Sequence, residues 1–351
     1  MAEKPDLLDM TLEELERIFV SLDEKPFRAR QLFKWLHKGT TSFEQMTDLP
    51  ATLIEKLNSG YRIERLVTLE RLASSDKRTV KYLYLLSDNN IIECVSMQYP
   101  YGTTLCLSTQ VGCRMGCSFC ASTTGGLVRN LTAGEMLAQV LAADDDLAEH
   151  NKPSINGLVL MGCGEPLDNY DNVLKFIKLV HNPLGLNIGY RNITLSTCGL
   201  VPKMYTLADE GLNINLAVSL HAPYDSIRRE IMKIAHAYSV AEVISAARYY
   251  FDKTGRRVTF EYALISGTND KPEHAEELCR LLRGFPCHVN VIPLNEVKHL
   301  SRKRSSEDRI KTFISILQSK GINVTRRREM GLDINGACGQ LKAAYLEKER
   351  G

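Results

Sequence analysis

Apolar residues fall into two rhythms along this chain. From about residue 7 to 58 they recur every three or four positions: Leu12, Leu15, Ile18 and Phe19, then Ala29, Leu32, Phe33 and Leu36 around Trp35. That spacing lines one face of successive helices, and Pro26 and Pro50 punctuate the set. A small helical N-terminal domain over residues 1–60 is predicted. The rhythm then changes to alternation. The stretch 79–86 alternates apolar and polar positions, Asp88-Asn89-Asn90 supplies a turn, and 91–98 runs back as a second strand. A β-hairpin linker is therefore expected between residues 61 and 100.

From about residue 103 short apolar strands and helical segments take turns. The strand candidates are 104–109, 157–161, 192–196, 215–219, 258–264 and 288–293, with helices between them such as 132–147, 172–181 and 240–253. Strand and helix at this spacing predict an α/β fold, a parallel sheet curled into a full or partial (β/α) barrel over residues 101–351. Such barrels place their chemistry in loops at the C-terminal ends of the strands.

The chain has 351 residues, 44% of them hydrophobic and 25% charged, which is the composition of an ordinary soluble protein. No apolar run is long enough to span a membrane, and the start, Met1-Ala2-Glu3-Lys4-Pro5-Asp6, lacks an apolar signal region, so a cytosolic protein is expected. Ten cysteines in such a chain point to metal or redox chemistry and away from a disulfide scaffold. The net charge is only +2, so a polyanion site must come from local clusters. Candidates are Arg28, Arg30, Lys34 and Lys38; Lys298 with Arg302, Lys303 and Arg304; and Arg326-Arg327-Arg328. Each, taken alone, also reads as a solvated face.

Seven of the ten cysteines matter less than the three in Cys113-Arg114-Met115-Gly116-Cys117-Ser118-Phe119-Cys120. Three thiolates spaced Cx3CxxC on one loop suit an iron–sulfur cluster. A [4Fe-4S] cubane held by three protein ligands keeps one iron open to a substrate or cofactor. Zinc would ask for a fourth ligand nearby, and the nearest other cysteine, Cys106, falls in the preceding strand. A ferredoxin would add more closely spaced cysteines, and none follow. The spacing and the Phe119-Cys120 pair resemble the radical S-adenosylmethionine enzymes.

Further motifs sit at predicted strand ends. In Met161-Gly162-Cys163-Gly164-Glu165-Pro166 the glycines allow close approach to the backbone, and Glu165 can accept hydrogen bonds from an ammonium group. Alone, this is an ordinary strand-to-loop turn. Ser196, Ser219-Leu220-His221 and Asn295 share the strand-end placement. Near the C-terminus, Gly336-Ala337-Cys338-Gly339-Gln340-Leu341 sets a thiol among small residues. It can serve as a nucleophile or as a small core residue.

These motifs, with Cys106 and Cys338 flanking the cysteine loop and Arg129-Asn130-Leu131-Thr132 after it, resemble the radical S-adenosylmethionine RNA methyltransferases that modify adenine carbons. Phe27-Arg28-Ala29-Arg30-Gln31 and Thr47-Asp48-Leu49-Pro50 are similar to the family's helical RNA-binding domain, so the resemblance spans nearly the whole chain. Ala121-Ser122-Thr123-Thr124-Gly125-Gly126-Leu127, Arg129 and Glu165-Pro166-Leu167-Asp168-Asn169 look like the branch that methylates C2, as opposed to C8, of one adenosine in the peptidyl-transferase region of 23S rRNA. Some members of that branch also modify the adenosine 3′ of certain tRNA anticodons.

The resemblance implies a partial (β/α) barrel of the radical S-adenosylmethionine type, a [4Fe-4S] cluster on Cys113, Cys117 and Cys120, and two S-adenosylmethionine molecules per turnover. Gly164, Glu165, Ser196, Ser219, Leu220, His221 and Asn295 would hold the cofactor. Cys338 would take a methyl group from the first molecule. A 5′-deoxyadenosyl radical from the second would remove hydrogen from that S-methyl group, whose carbon then adds to C2 of adenine. By residue-for-residue match Glu93 is the base that removes the C2 proton, and Cys106 is the thiol that releases the adduct through a disulfide with Cys338. Glu93 alternates among Ile91, Ile92 and Val95, which predicts a partly desolvated carboxylate suited to a base; an outward-facing hairpin residue is the alternative. Cys94 and Cys198 are thiols that could compete with Cys106, while Cys279 and Cys287 read as core. The target adenine must be single-stranded or flipped out, with phosphates held by basic residues. The implied partners are 23S rRNA, tRNA and an electron donor such as a flavodoxin or ferredoxin. Rival readings are C8 methylation of the same adenosine, an RNA methylthiolating enzyme, and a non-catalytic iron–sulfur sensor.

Overall fold

The computed structural model describes residues 4–296 and 300–334; Cys338 and Lys298 lie outside them. The N-terminal helices are α1 (Leu12–Ser21), α2 (Pro26–Leu36) and α3 (Ala51–Gly60). Thr11 and Glu14 cap α1 reciprocally: the Thr11 hydroxyl accepts the Glu14 amide at 3.3 Å and the Glu14 carboxylate accepts the Thr11 amide at 2.7 Å. Pro26 opens α2, where its missing N–H costs nothing. The periodic residues Leu15, Phe19, Ala29, Leu32, Phe33, Leu36, Leu53 and Leu57 are all buried together.

Strands β1 (Val67–Ala73), β2 (Thr79–Leu85), β3 (Ile91–Tyr99) and β4 (Gly102–Cys106) form an antiparallel meander. Then come the short pair β5 (Gln110–Gly112) and β6 (Leu127–Asn130), α4 (Ala133–Glu149), β7 (Ile155–Leu160), α5 (Tyr170–His181), β8 (Ile193–Thr197) and α6 (Val201–Asp209). The chain continues through β9 (Asn215–Ser219), α7 (Asp225–Ile231), α8 (Val240–Thr254), β10 (Thr259–Leu264), α9 (Pro272–Leu282), β11 (His288–Pro293), α10 (Glu307–Ser319) and β12 (Val324–Arg326).

One sheet has the order β1-β2-β3-β4-β7-β8-β9-β10-β11-β12. From β4 onward its neighbours are parallel, so the predicted hairpin continues the sheet of the barrel. Residues from β3, β4, β8, β10, β11 and the segment after β12 line one cavity, because the sheet curls until its two ends face each other. This is the partial (β/α) barrel expected. Strands β1, β5, β6 and β12 were not expected: β1 and β12 are edge strands whose burial pattern carries little alternation, β6 alternates over only four residues, and β5 is a three-residue strand buried throughout.

The helical domain sits on the start of α4. The Asp9 carboxylate accepts the Gly134 amide at 2.8 Å, and Lys175 of α5 pairs with Asp9 and Glu14 at 3.4 and 3.0 Å. A Cβ on Gly134 would lie 2.6 Å from an Asp6 carboxylate oxygen and 2.8 Å from the Asp9 nitrogen, so only glycine lets the two parts meet this closely. Among the described residues no helix is long and apolar enough to cross a membrane.

Candidate active site

The cysteine loop grows from a closed neck. Strands β5 and β6 pair antiparallel, and the Cys113 amide donates to the Gly126 carbonyl at 2.9 Å, so residues 113–126 leave and re-enter at one point. Arg129 on β6 fixes this neck. Its guanidinium forks onto Glu135 at 2.7 and 2.8 Å and reaches Asp88 in the β2–β3 turn at 2.6 Å. On the far side Ser118 donates its amide to the Ile231 carbonyl at 2.9 Å. Arg302 donates to the Ser118 hydroxyl at 3.2 Å while pairing with Glu230 at 2.8 Å.

The motif after β7 is the other half of this clamp. Asp168 binds the Arg114 guanidinium and accepts from Gln110 at 3.1 Å. The Asn169 amide donates to the Thr109 and Leu131 carbonyls at 2.8 and 2.7 Å. The glycines of this motif make room for the protein's own chain. A Cβ on Gly162 would fall 2.5 Å from the Leu107 carbonyl oxygen, and one on Gly164, at φ +113°, 2.7 Å from Gln110. The expected close approach exists, and the segment 107–110 leading to the cysteines is what approaches.

All three loop cysteines line one cavity with Gly164, Glu165, Ser196, Ser219, His221 and Asn295. The strand-end residues expected to hold a cofactor therefore converge on the cysteine loop. Leu220 is the exception: its side chain is fully buried in the main core, and its backbone accepts from Arg228 and donates to Glu261. Glu165 is buried at the centre. Its carboxylate accepts the Cys198 amide at 2.7 Å and the Leu167 amide at 3.1 Å, and burial pushes its pKa up against those bonds. His221 has φ +55°, accepts the Ala263 amide on Nδ1 at 2.9 Å and meets the Phe119 ring edge-on at 5.0 Å. Burial, with Arg228 nearby, lowers its pKa to about 3, so it is a neutral positioning group.

Burial raises the Cys113 thiol to about 12 and the Cys117 thiol further, with neighbouring thiols adding to both. Soft sulfur donors that cannot hold their charges alone fit a cationic iron site. Among the described residues no three His, Cys, Asp or Glu side chains converge as ligands of a single ion. A cubane does not require that, since each thiolate takes a different iron. An apolar shell of Met115, Ile231, Met232, Ala263, Ile265 and Leu294 packs around the loop.

A second cavity of about 500 Å³ adjoins the first, sharing Met161, Glu261, Ile292, Asn295 and Arg327 with it. Cys106 lines this second space with Val95 and Met97. Register places Val95 opposite Cys106, so Glu93 falls opposite Ser108, whose hydroxyl donates to the Glu93 carbonyl at 2.7 Å. Glu93, Val95 and Cys106 thus share the inward face of the sheet, not the outer face of a hairpin. Glu93 is only 3% exposed and is paired at 3.3 Å with Lys81, itself 2% exposed. Sequence reading missed Lys81; a lysine in the middle of the apolar strand β2 was the available signal. Cys94 points to the opposite face, into the core beside Tyr84, which removes it from the site. Cys198 stays at the cavity wall.

The basic clusters are largely engaged within the chain. Arg302 pairs with Glu230, Lys303 with Glu296, Arg304 with Glu329 and Glu307, Arg326 with Glu307, and Arg327 turns inward to Glu261. In the helical domain Arg30 pairs with Glu16, and Lys38 lies over the Trp35 ring.

Residues 5–63 match the model of the ribosomal RNA large subunit methyltransferase N-terminal domain, and residues 107–282 that of the radical SAM superfamily. A protein of Clostridium tetani described as a probable dual-specificity RNA methyltransferase RlmN is 53% identical over 342 residues, covering 97% of each chain. Another so described, from Caldanaerobacter subterraneus, is 53% identical over 344 residues, covering 98% of this chain and 99% of its own. The crystal structure of a radical SAM methyltransferase from Sphaerobacter thermophilus superposes with a TM-score of 0.92 at 45% identity, over 96% of this chain and 98% of that one.

Proposed function

The chain belongs to the dual-specificity RNA methyltransferases of the radical SAM superfamily, and on that premise we propose that it methylates C2 of an adenosine in 23S rRNA and C2 of the adenosine 3′ of the anticodon in some tRNAs. The observation that carries this reading is the shared inward face of Glu93 and Cys106, beside the cavity lined by the cysteine loop. An enzyme that only cleaved its cofactor would need no thiol in the adjoining space and no buried carboxylate on the same face of the sheet.

Cys113, Cys117 and Cys120 would hold a [4Fe-4S] cluster, and Gly164, Glu165, Ser196, Ser219, Leu220, His221 and Asn295 the S-adenosylmethionine, with Leu220 acting through its backbone. When bound, the cluster and two cofactor molecules supply an electron, a methyl group and a hydrogen-abstracting radical. The chain's own residues do the rest. Cys338, as thiolate, accepts the methyl group and carries it to the base. Glu93 takes the C2 proton, held in place by Lys81. Cys106 forms a disulfide with Cys338 and frees the methylated RNA; an external reductant then resets both thiols. Residues 1–60 position the RNA, and the enzyme works in the cytosol with a flavodoxin or ferredoxin as electron donor.

The test is covalent trapping. Cys338→Ala should abolish methylation. Cys106→Ala should accumulate protein joined to RNA, seen as a nuclease-sensitive mass shift. Free, fully methylated RNA from Cys106→Ala would refute its releasing role. Mass spectrometry of the product nucleoside decides position, and 8-methyladenosine alone would overturn the C2 assignment.

A further inference from the structure

Among the described residues, Arg228 is a buried cation without an ion pair. Its side chain is fully buried, and its guanidinium donates to four backbone carbonyls of the described residues: Leu220 at 3.1 Å, Cys198 at 2.6 Å, Ser219 at 3.3 Å and Tyr238 at 3.5 Å. Among the described residues no carboxylate lies within ion-pair distance of it. Of the two acids in its own helix, Asp225 spends an oxygen on the Val240 amide at 2.7 Å and Glu230 pairs with Arg302 at 2.8 Å. A guanidinium keeps its charge in proteins, and a buried charge without a counter-charge is costly. Four carbonyl dipoles offset part of that cost and leave a net positive charge in a low-dielectric interior.

That charge lies beside the cysteine loop: its helix α7 ends at Ile231, whose carbonyl accepts the Ser118 amide of the loop at 2.9 Å, and its guanidinium holds the Cys198 carbonyl at the wall of the cavity that the three cysteines line. The other ionisable groups around it are the Cys198 thiol, Asp225 and the neutral His221. Two of the carbonyls it holds, Cys198 and Ser219, follow or end the strands β8 and β9 whose last residues line the cofactor cavity. Cys198 is held from both sides, since its amide donates to Glu165.

Taking Cys113, Cys117 and Cys120 as the cluster ligands, as proposed above, we infer that Arg228 is the cluster's fixed counter-charge. A cubane carried by three thiolates is anionic, and uptake of one electron without a proton makes it more so. A guanidinium held beside it stabilises the reduced form more than the oxidised form and raises the reduction potential. Arg228 touches neither substrate nor the reacting atoms; it is a positioning and electrostatic residue.

The measurement is an electron-paramagnetic-resonance redox titration of the full chain loaded with iron and sulfide, dithionite supplying the electron, without S-adenosylmethionine. Arg228→Gln removes the charge. Arg228→Lys keeps it but loses the fork of hydrogen bonds. At the potential that half-reduces the native protein, Arg228→Gln should show a reduced-to-oxidised ratio lower by on the order of tenfold, and Arg228→Lys a ratio within a few fold of native. A purely structural role predicts that both variants behave alike, and equal potentials in all three loaded proteins would overturn the inference. If Arg228→Gln holds no iron, Arg228→Lys decides alone. A buried ammonium loses its proton as pH rises while a guanidinium does not, so its potential should fall with pH more steeply than native; parallel pH dependences overturn the inference. Iron analysis separates the two claims, because a native chain that binds no cluster refutes the ligand assignment and leaves the potential without meaning.

Discussion

In the parallel half of the sheet, β7, β8, β9 and β11 deliver Glu165, Ser196, Ser219 and Asn295 at or near their C-terminal ends, around the cysteine loop. In the antiparallel half β3 runs the other way, and Glu93 stands near its start, level with the end of β4 and the residues that lead to the loop. Both halves present chemistry at the same mouth, but one does so with strand ends and the other with a strand beginning. The parallel half offers backbone groups and small polar side chains suited to gripping a cofactor. The antiparallel half offers a buried carboxylate, a lysine and a thiol, Glu93, Lys81 and Cys106, suited to moving a proton and breaking a bond.

The largest effect should come from separating those tasks. Glu93→Gln should reduce RNA methylation on the order of 10²–10⁴-fold, the usual worth of a positioned base, while 5′-deoxyadenosine formation and methyl transfer to the protein continue. Glu165→Gln should weaken S-adenosylmethionine binding and lower both together. Product assays for 5′-deoxyadenosine and methyladenosine on the same samples read the split. If Glu93→Gln lowered cofactor cleavage as much as RNA methylation, Glu93 would belong with the parallel half and the division would fail.

Next in size is the ion pair inside the antiparallel half. Lys81 and Glu93 are both almost fully buried, so removing one partner takes a counter-charge from the other in a low-dielectric interior. Lys81→Met should cost about 3–5 kcal/mol of stability. The double variant Lys81→Met with Glu93→Leu should recover most of that loss, because an apolar pair of similar volume needs no counter-charge. Urea denaturation of the three proteins measures it. A loss below about 1 kcal/mol would mean that water reaches the pair.

The same contrast explains what could be read in advance. Residues of the parallel half were legible because strand-end placement is a rule tied to chain direction, and β7, β8, β9 and β11 obey it. The cysteine loop was legible because its three ligands are local in sequence. Lys81, Arg228 and the clamping role of Asp168 and Asn169 were not, since their partners lie far along the chain and only tertiary folding joins them. Glu93 reads as an inward residue only once register with β4 is known. The glycines of the β7 motif were legible as points of close approach, but not as points where the chain approaches itself.

The smallest effect concerns the helical domain, which belongs to neither half and so serves as a control on the comparison. His37, at the end of α2, is buried with its ring stacked on Phe33 at 4.1 Å, and a Cβ on Gly185 would lie 2.4 Å from its Nδ1. Burial lowers its pKa from 6.5 to about 4. The unfolded chain therefore binds the proton first as pH falls. The stability His37 contributes is fully present above about pH 6.5 and lost as pH drops towards 4, by about 3 kcal/mol at most. Asp6 acts in the opposite sense: burial raises its pKa from 3.8 to about 6, so its contribution is lost as pH rises through that value. The difference between native protein and His37→Gln isolates the histidine. Trp35, the single tryptophan of the chain and two residues away, reports the helical domain by fluorescence. In native protein acid should loosen this domain between pH 6.5 and 4 more than in His37→Gln, with the visible absorbance of the loaded cluster unchanged until lower pH. Coincident loss of both signals would mean that the helices and the barrel unfold as one unit, and the pH window would then belong to the whole molecule.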